Sequence, residues 1–256
     1  MKRAIGIVVV LFSFIAVTSA AAAETTEGPV IIAAAASMTY PLTEIIDDFK
    51  KTHDSDVELV FDASGALTTK IRNGAPFDIF FSANMAYPEK LYAEGLTTAE
   101  PFVYAYGTLV AWSCSGSIGE GTDLRTAVSE STKIACADPA VAPYGVAAVN
   151  ALKAMNVYDA VEDKIVYGQS VSQVNHFVLS QAVSLGFTAK SGVLAPAAAG
   201  KGVWIEVDRA LYQPIAQGCV VITHAAEAHR ADVDAVVAYC STEKAQEILK
   251  KYGYTV

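Results

Sequence analysis

VIIAAAASMTYPLT, residues Val30 to Thr43, is the stretch that decides the fold. Val30–Ala36 is a short apolar run, and such a run bounded by a turn reads as a buried strand of a parallel sheet. Four alanines lead into Ser37, so little side chain shields the strand's carboxyl end. Pro41 then opens a periodic segment, Leu42, Ile45, Ile46 and Phe49, which reads as an amphipathic helix with proline in its first turn. Strand, small-residue turn with a hydroxyl, helix start: this order gathers free backbone N–H groups and a serine at one point. A helix amino end is a ready-made anion site. The loop is therefore expected to form one jaw of a clamp for a small oxyanion.

The same logic recurs along the chain. Val57–Phe61 (VELVF) reads as a second strand, followed by Asp62-Ala63-Ser64-Gly65-Ala66 and a helix through Ile71. Ser64 reads first as an N-cap whose hydroxyl satisfies a backbone N–H; a second such turn raises the alternative of a ligand contact. Asp78–Ser82 is a third strand, with Asp78 placed to cap a neighbouring turn, and Glu89–Gly95 a helix with a glycine stop. After the strand Thr108–Trp112 the composition turns rich in serine and glycine, which marks entry into a second lobe. There Lys133–Ala137 runs into Asp138-Pro139-Ala140-Val141-Ala142-Pro143-Tyr144-Gly145 and a helix carrying Val146, Val149, Leu152 and Met155. Asp138 before Pro139 reads as a turn former. Ile165–Tyr167 leads through Gln169–Gln173 into a helix ending near Ala182. Leu185–Thr188, Val203–Val207 and Cys219–Thr223 are further strands, and Ala231–Tyr252 holds one or two helices.

Alternating strands and helices predict an α/β protein with mixed, mostly parallel sheets. The composition change divides it into two lobes facing across a cleft: 24–106 with 210–256, and 107–209. In open α/β sheets ligands sit outside the strands' carboxyl ends.

Residues 1–23 stand apart. Lys2 and Arg3 precede an apolar run to Val17, and Ala21-Ala22-Ala23 offers a small-residue cleavage site, the pattern of a secretory signal peptide cleaved near Ala23. The run is short of the roughly 20 residues that span a bilayer. The formal net charge is −9, and it becomes more negative once the basic leader is removed. That balance argues against nucleic acid or a membrane surface as partner. It also means that attraction for an anion must come from local dipoles and hydrogen bonds.

Four cysteines, Cys114, Cys136, Cys219 and Cys240, have no CxxC or Cys/His metal spacing. Cys114 and Cys219 flank the strand-like runs LVAW and VVIT, so a bridge between them is one reading and four buried thiols the other. His53, His176, His224 and His229 are scattered, and the last two are five apart, not the i, i+4 of a helical zinc pair. No GxSxG elbow, P-loop or GxGxxG is present. No acid–base or nucleophile constellation points to an enzyme, and no following apolar span points to a membrane sensor. What the four junctions offer is neutral donors: the hydroxyls of Ser37 and Ser64, and backbone N–H groups at Ser37, Ser64, Tyr144 and Val171. A hydrogen bond to an ionised group contributes roughly 1.5–3 kcal/mol, so about six suffice for tight binding without an arginine.

AAAS at 34–37, NGAPFDIFFSA at 73–83, YGTLVAWS at 106–113, DPAVAPYG at 138–145, SVSQ at 170–173 and LGF at 185–187 occur in that order. Together they resemble the periplasmic molybdate-binding proteins of ABC transporters, over nearly all of the mature chain. The resemblance implies a two-lobed type II solute-binding fold closing over molybdate or tungstate, with no cofactor. It implies a monomer in the periplasm that delivers to an inner-membrane permease and its ATPase. It assigns hydroxyl and amide contacts to Ser37 and Ser64, backbone N–H contacts to Tyr144 and Val171, and a backbone contact to Ala36. Many members add a tyrosine hydroxyl where this chain has Ala189. The alternative ligand is another tetrahedral oxyanion such as sulfate; phosphate, protonated near neutral pH, needs an acceptor in its site.

Overall fold

A computed structural model describes residues 28–119, 121–223 and 230–256. The leader with its cleavage site, and His224 and His229, lie outside the described residues. The strands are β1 (Val30–Ala35), β2 (Val57–Asp62), β3 (Ile79–Ser82), β4 (Phe102–Gly107), β5 (Leu109–Ser113), β6 (Ile134–Ala137), β7 (Ile165–Gly168), β8 (Leu185–Ala189), β9 (Val203–Glu206) and β10 (Ile215–Val221). The helices are α1 (Thr39–Phe49), α2 (Ser64–Arg72), α3 (Ala86–Ala93), α4 (Leu124–Glu130), α5 (Pro143–Ala154), α6 (Tyr158–Val161), α7 (Val171–Leu179), α8 (Lys190–Val193), α9 (Arg230–Cys240) and α10 (Glu243–Lys251).

The strands form two five-stranded sheets, in the orders β2-β1-β3-β10-β4 and β7-β6-β8-β5-β9. In each sheet a parallel trio, β2-β1-β3 or β7-β6-β8, meets antiparallel partners. The sheets are therefore mixed, and the strand–turn–helix junctions all lie on the parallel trios. The chain passes from the first sheet to the second between Gly107 and Leu109, and returns between Glu206 and Ile215. On its return β10 inserts between β3 and β4, and α9 and α10 then pack on the first sheet. Val233, Val236, Ile248 and Leu249 join Ile32, Leu42 and Phe49 in that core. A second core gathers Trp112, Val128, Ile134, Leu152 and Phe187. The Trp112 indole N–H is satisfied by the Lys201 carbonyl at 2.9 Å.

Of the larger apolar residues of helix α5, Leu152 is buried and Met155 packs against the core, and the rest of the buried face is made by small residues. Gly145, Ala147, Ala148, Ala151 and Leu152 are buried, whereas Val146 is exposed. The alanines let the helix backbone approach the sheet closely, and close approach outweighs the extra apolar area a valine face offers.

The bridge between Cys114 and Cys219 does not form. The run LVAW belongs to β5 and VVIT follows from β10, in different sheets, and all four thiols are free. Burial pushes the Cys136 and Cys240 thiols up to about 12, so both stay protonated and behave as small apolar groups.

Asp78 caps no turn. Its carboxylate Oδ2 accepts from the Ile31 N–H at 2.7 Å, next to the backbone bond from Asp78 N–H to the Ile31 carbonyl at 2.8 Å. It therefore ties the start of β3 to the start of β1. The residue is buried, and an orphaned buried N–H costs about 1–3 kcal/mol. Asp78→Ala is expected to lower the unfolding free energy by about 2 kcal/mol in urea titrations; an unchanged midpoint would show that the Ile31 N–H finds another acceptor.

Candidate functional site

Four helix amino ends meet where the two sheets face each other. β1 ends at Ala35 and gives way to a 3-10 turn, Ala36–Met38; α2 begins at Ser64, α5 at Pro143 and α7 at Val171. None of the four starts is capped by a side chain of its own N-cap residue, Ala35, Ala63, Ala142 or Ser170. First-turn N–H groups have no intrahelical acceptor. Tyr144 is the second residue of α5 and Val171 the first of α7, so their N–H groups belong to this class.

These ends surround a small hollow lined by Ala36, Ser37, Ser64, Tyr144 and Val171, with Ala35, Ala63, Ala83, Ala142, Pro143 and Ser170 completing the wall. All five residues singled out from the sequence thus face one space. No acidic or basic side chain lines it. The polar groups it offers from side chains are hydroxyls.

The two serines are held differently. Ser37 is buried, and its Oγ is, among the described residues, the one buried side-chain nitrogen or oxygen without a hydrogen-bond partner. Such an orphan costs about 1–3 kcal/mol unless something in the hollow pairs with it. Ser64 is not the N-cap that its position suggested: Ala63 holds that place. The Ser64 Oγ instead accepts from the Ala83 N–H at 3.0 Å. That bond occupies a lone pair and leaves the hydroxyl proton for an acceptor.

Behind the hollow lies a set of groups that the sequence alone did not single out. The Ser37 carbonyl accepts from the Tyr254 hydroxyl at 3.0 Å and from the Ser191 hydroxyl at 2.7 Å. Burial raises the Tyr144 and Tyr254 phenols above their ordinary value, so both stay neutral. The only local cue to Tyr254 was its place two residues from the chain's end, just beyond the Gly253 stop. Nothing in that spacing reveals a partner 217 residues away. Ala189 is buried at the end of β8 and lines an adjoining small hollow that shares Ala36, Ser37 and Val171 with the first. It brings a methyl where a tyrosine would bring a hydroxyl. Asp138 forms a turn as expected, its carbonyl accepting from the Val141 and Ala142 N–H groups at 3.1 and 2.8 Å.

The bacterial extracellular solute-binding protein family model matches residues 30–255. The chain belongs to that family. Among its relatives in this family is the molybdate-binding protein ModA of Rhodobacter capsulatus, 37% identical over 89% of this chain and 88% of that protein. ModA of Azotobacter vinelandii is 35% identical over 87% of this chain and 88% of that protein. The structure of the Azotobacter vinelandii periplasmic molybdate-binding protein superposes with a TM-score of 0.82 at 30% identity, covering 89% of this chain and 99% of that one. The family's shared work is binding solutes, which accords with a hollow built of hydrogen-bond donors and no acid–base pair. No helix among the described residues is long and apolar enough to cross a membrane, and no group of three metal-binding side chains occurs among them.

Proposed function

We propose that this chain binds molybdate, as an intact oxyanion, between its two sheets and delivers it to an ABC import permease and ATPase. Ser37 and Ser64 donate hydroxyl and amide hydrogen bonds, Tyr144 and Val171 donate backbone N–H groups, and Ala36 contributes through its backbone. Tungstate, of the same charge and shape, is taken by the same donors. The observation that carries the reading is the unpaired, buried Oγ of Ser37, a residue lining the hollow where four uncapped helix amino ends converge. Helix amino ends favour an anion, and a site of donors disfavours hydrogen phosphate, whose proton needs an acceptor. The lobes, 24–106 with 210–256 and 107–209, move as bodies about the two crossings. The chain works as an exported, periplasmic monomer after loss of residues 1–23, and it catalyses no reaction.

Thermal melts with molybdate, tungstate, sulfate and phosphate test this. A ligand at about 100 times its Kd stabilises the folded state by about 2.7 kcal/mol, and for a chain of this length that raises Tm by about 5–10 °C. Molybdate and tungstate are expected to give that shift. A melt raised by sulfate or phosphate and indifferent to molybdate would assign the hollow to the other oxyanion.

A further inference from the structure

We propose that Gly65 sets how far the two lobes close, and thereby sets oxyanion affinity, because only glycine lets its N–H reach the Val141 carbonyl of the facing lobe. The inference rests on the reading of the hollow as a ligand site between lobes. Gly65 is the second residue of α2, and its N–H donates to Val141 O at 2.9 Å. Val141 lies in the turn that leads into α5. One backbone hydrogen bond therefore links the loop bearing Ser64 to the loop bearing Tyr144.

The glycine is not there for its backbone freedom. Gly65 lies within a helix and is not among the positive-φ glycines, and glycine in a helix is less favourable than alanine. Space explains it. A Cβ at this position falls 2.9 Å from Val141 Cα and 3.0 Å from Val141 O, both backbone atoms, and 2.8 Å from the Tyr87 hydroxyl. The facing turn is braced against a shift by Asp138, whose carbonyl and carboxylate accept from the Val141, Ala142 and Ala140 N–H groups. A methyl group is accommodated only if the lobes part. The Tyr87 hydroxyl, donating to Ala140 O at 3.4 Å, reaches the same turn.

The test is Gly65→Ala, with Tyr87→Phe and the double variant beside it. Gly65→Ala is expected to weaken molybdate binding about 10-fold or more by calorimetry, through faster release, while the melting temperature without ligand stays equal or rises. Small-angle scattering with saturating molybdate is expected to show a larger radius of gyration than the wild type. Affinity within twofold of wild type and equal compaction would overturn the proposal. So would rescue of Gly65→Ala by Tyr87→Phe, since the obstacle would then be a movable side chain. Amide hydrogen exchange reads the bond in the unaltered chain. A first-turn N–H has no intrahelical acceptor, so slow exchange at Gly65, slowed further by molybdate, reports the contact between lobes. If no oxyanion raises the melt, the ligand reading falls and the Gly65 amide alone decides: protection upholds the contact, and exchange at the free rate overturns it.

Discussion

Replacing Ser37 and Ser64 together by alanine is expected to weaken molybdate binding by about 100- to 10,000-fold, measured by calorimetry. In the proposed site each substitution removes one hydrogen bond to an ionised group, roughly 1.5–3 kcal/mol, and 1.4 kcal/mol is a factor of ten. The single variants are expected to differ in the absence of ligand, and that difference is the sharper test. Ser37 Oγ is buried without a partner, so Ser37→Ala relieves an unsatisfied polar group and is expected to leave the free protein equally stable or more stable. Ser64→Ala removes the acceptor of the Ala83 N–H, so it is expected to cost the free protein about 1–3 kcal/mol. A Ser37→Ala variant that is less stable when free and binds molybdate unchanged would mean that this hydroxyl serves the fold and not the ligand.

Gly145→Ala is expected to damage both stability and binding. A Cβ on Gly145 falls 2.1 Å from the Ala137 carbonyl oxygen and 2.8 Å from its carbon. Both are backbone atoms at the end of β6, so no rotamer change relieves the clash. Gly145 has no positive φ; distance alone requires the glycine. The first turn of α5 must lift off the strand, at a cost of about 3 kcal/mol or more, which lowers Tm by about 6–12 °C. Because Tyr144 is the preceding residue, its N–H moves with the turn, and molybdate affinity is expected to fall more than 10-fold. Val146→Ala, one residue on but exposed, is expected to change neither within error. If Gly145→Ala melts like wild type, the close approach of helix and strand is not what places the Tyr144 N–H.

The legible part of the site was its local chemistry. An apolar run ending in alanines and a serine, then a proline and a helical period, specifies a strand, a turn and a helix start within about fifteen residues. Four such junctions gave Ser37, Ser64, Tyr144 and Val171 as candidates, and those residues face one hollow. Other features were less legible. Phe102–Gly107 alternates in exposure as an edge strand, but without a strong apolar run it did not stand out. In α5 Leu152 is buried as its spacing predicts, but Val146 is exposed and Ala147, Ala148 and Ala151 carry much of the packing. The flanking runs of Cys114 and Cys219 looked alike and belong to different sheets.

The sequence by itself determined the order of strands and helices, the small-residue turns between them and the donor chemistry of those turns, because each depends on neighbours a few positions away. Tertiary structure alone decided what those donors meet. It gave the Ser64 hydroxyl to the Ala83 N–H, left the Ser37 hydroxyl unpaired, brought Tyr254 and Ser191 to the Ser37 carbonyl, and set Gly65 against Val141. These contacts join residues from 19 to 217 positions apart. Whether a donor is satisfied, and whether a methyl fits, is settled by distances between segments that only the packing of the two sheets brings together.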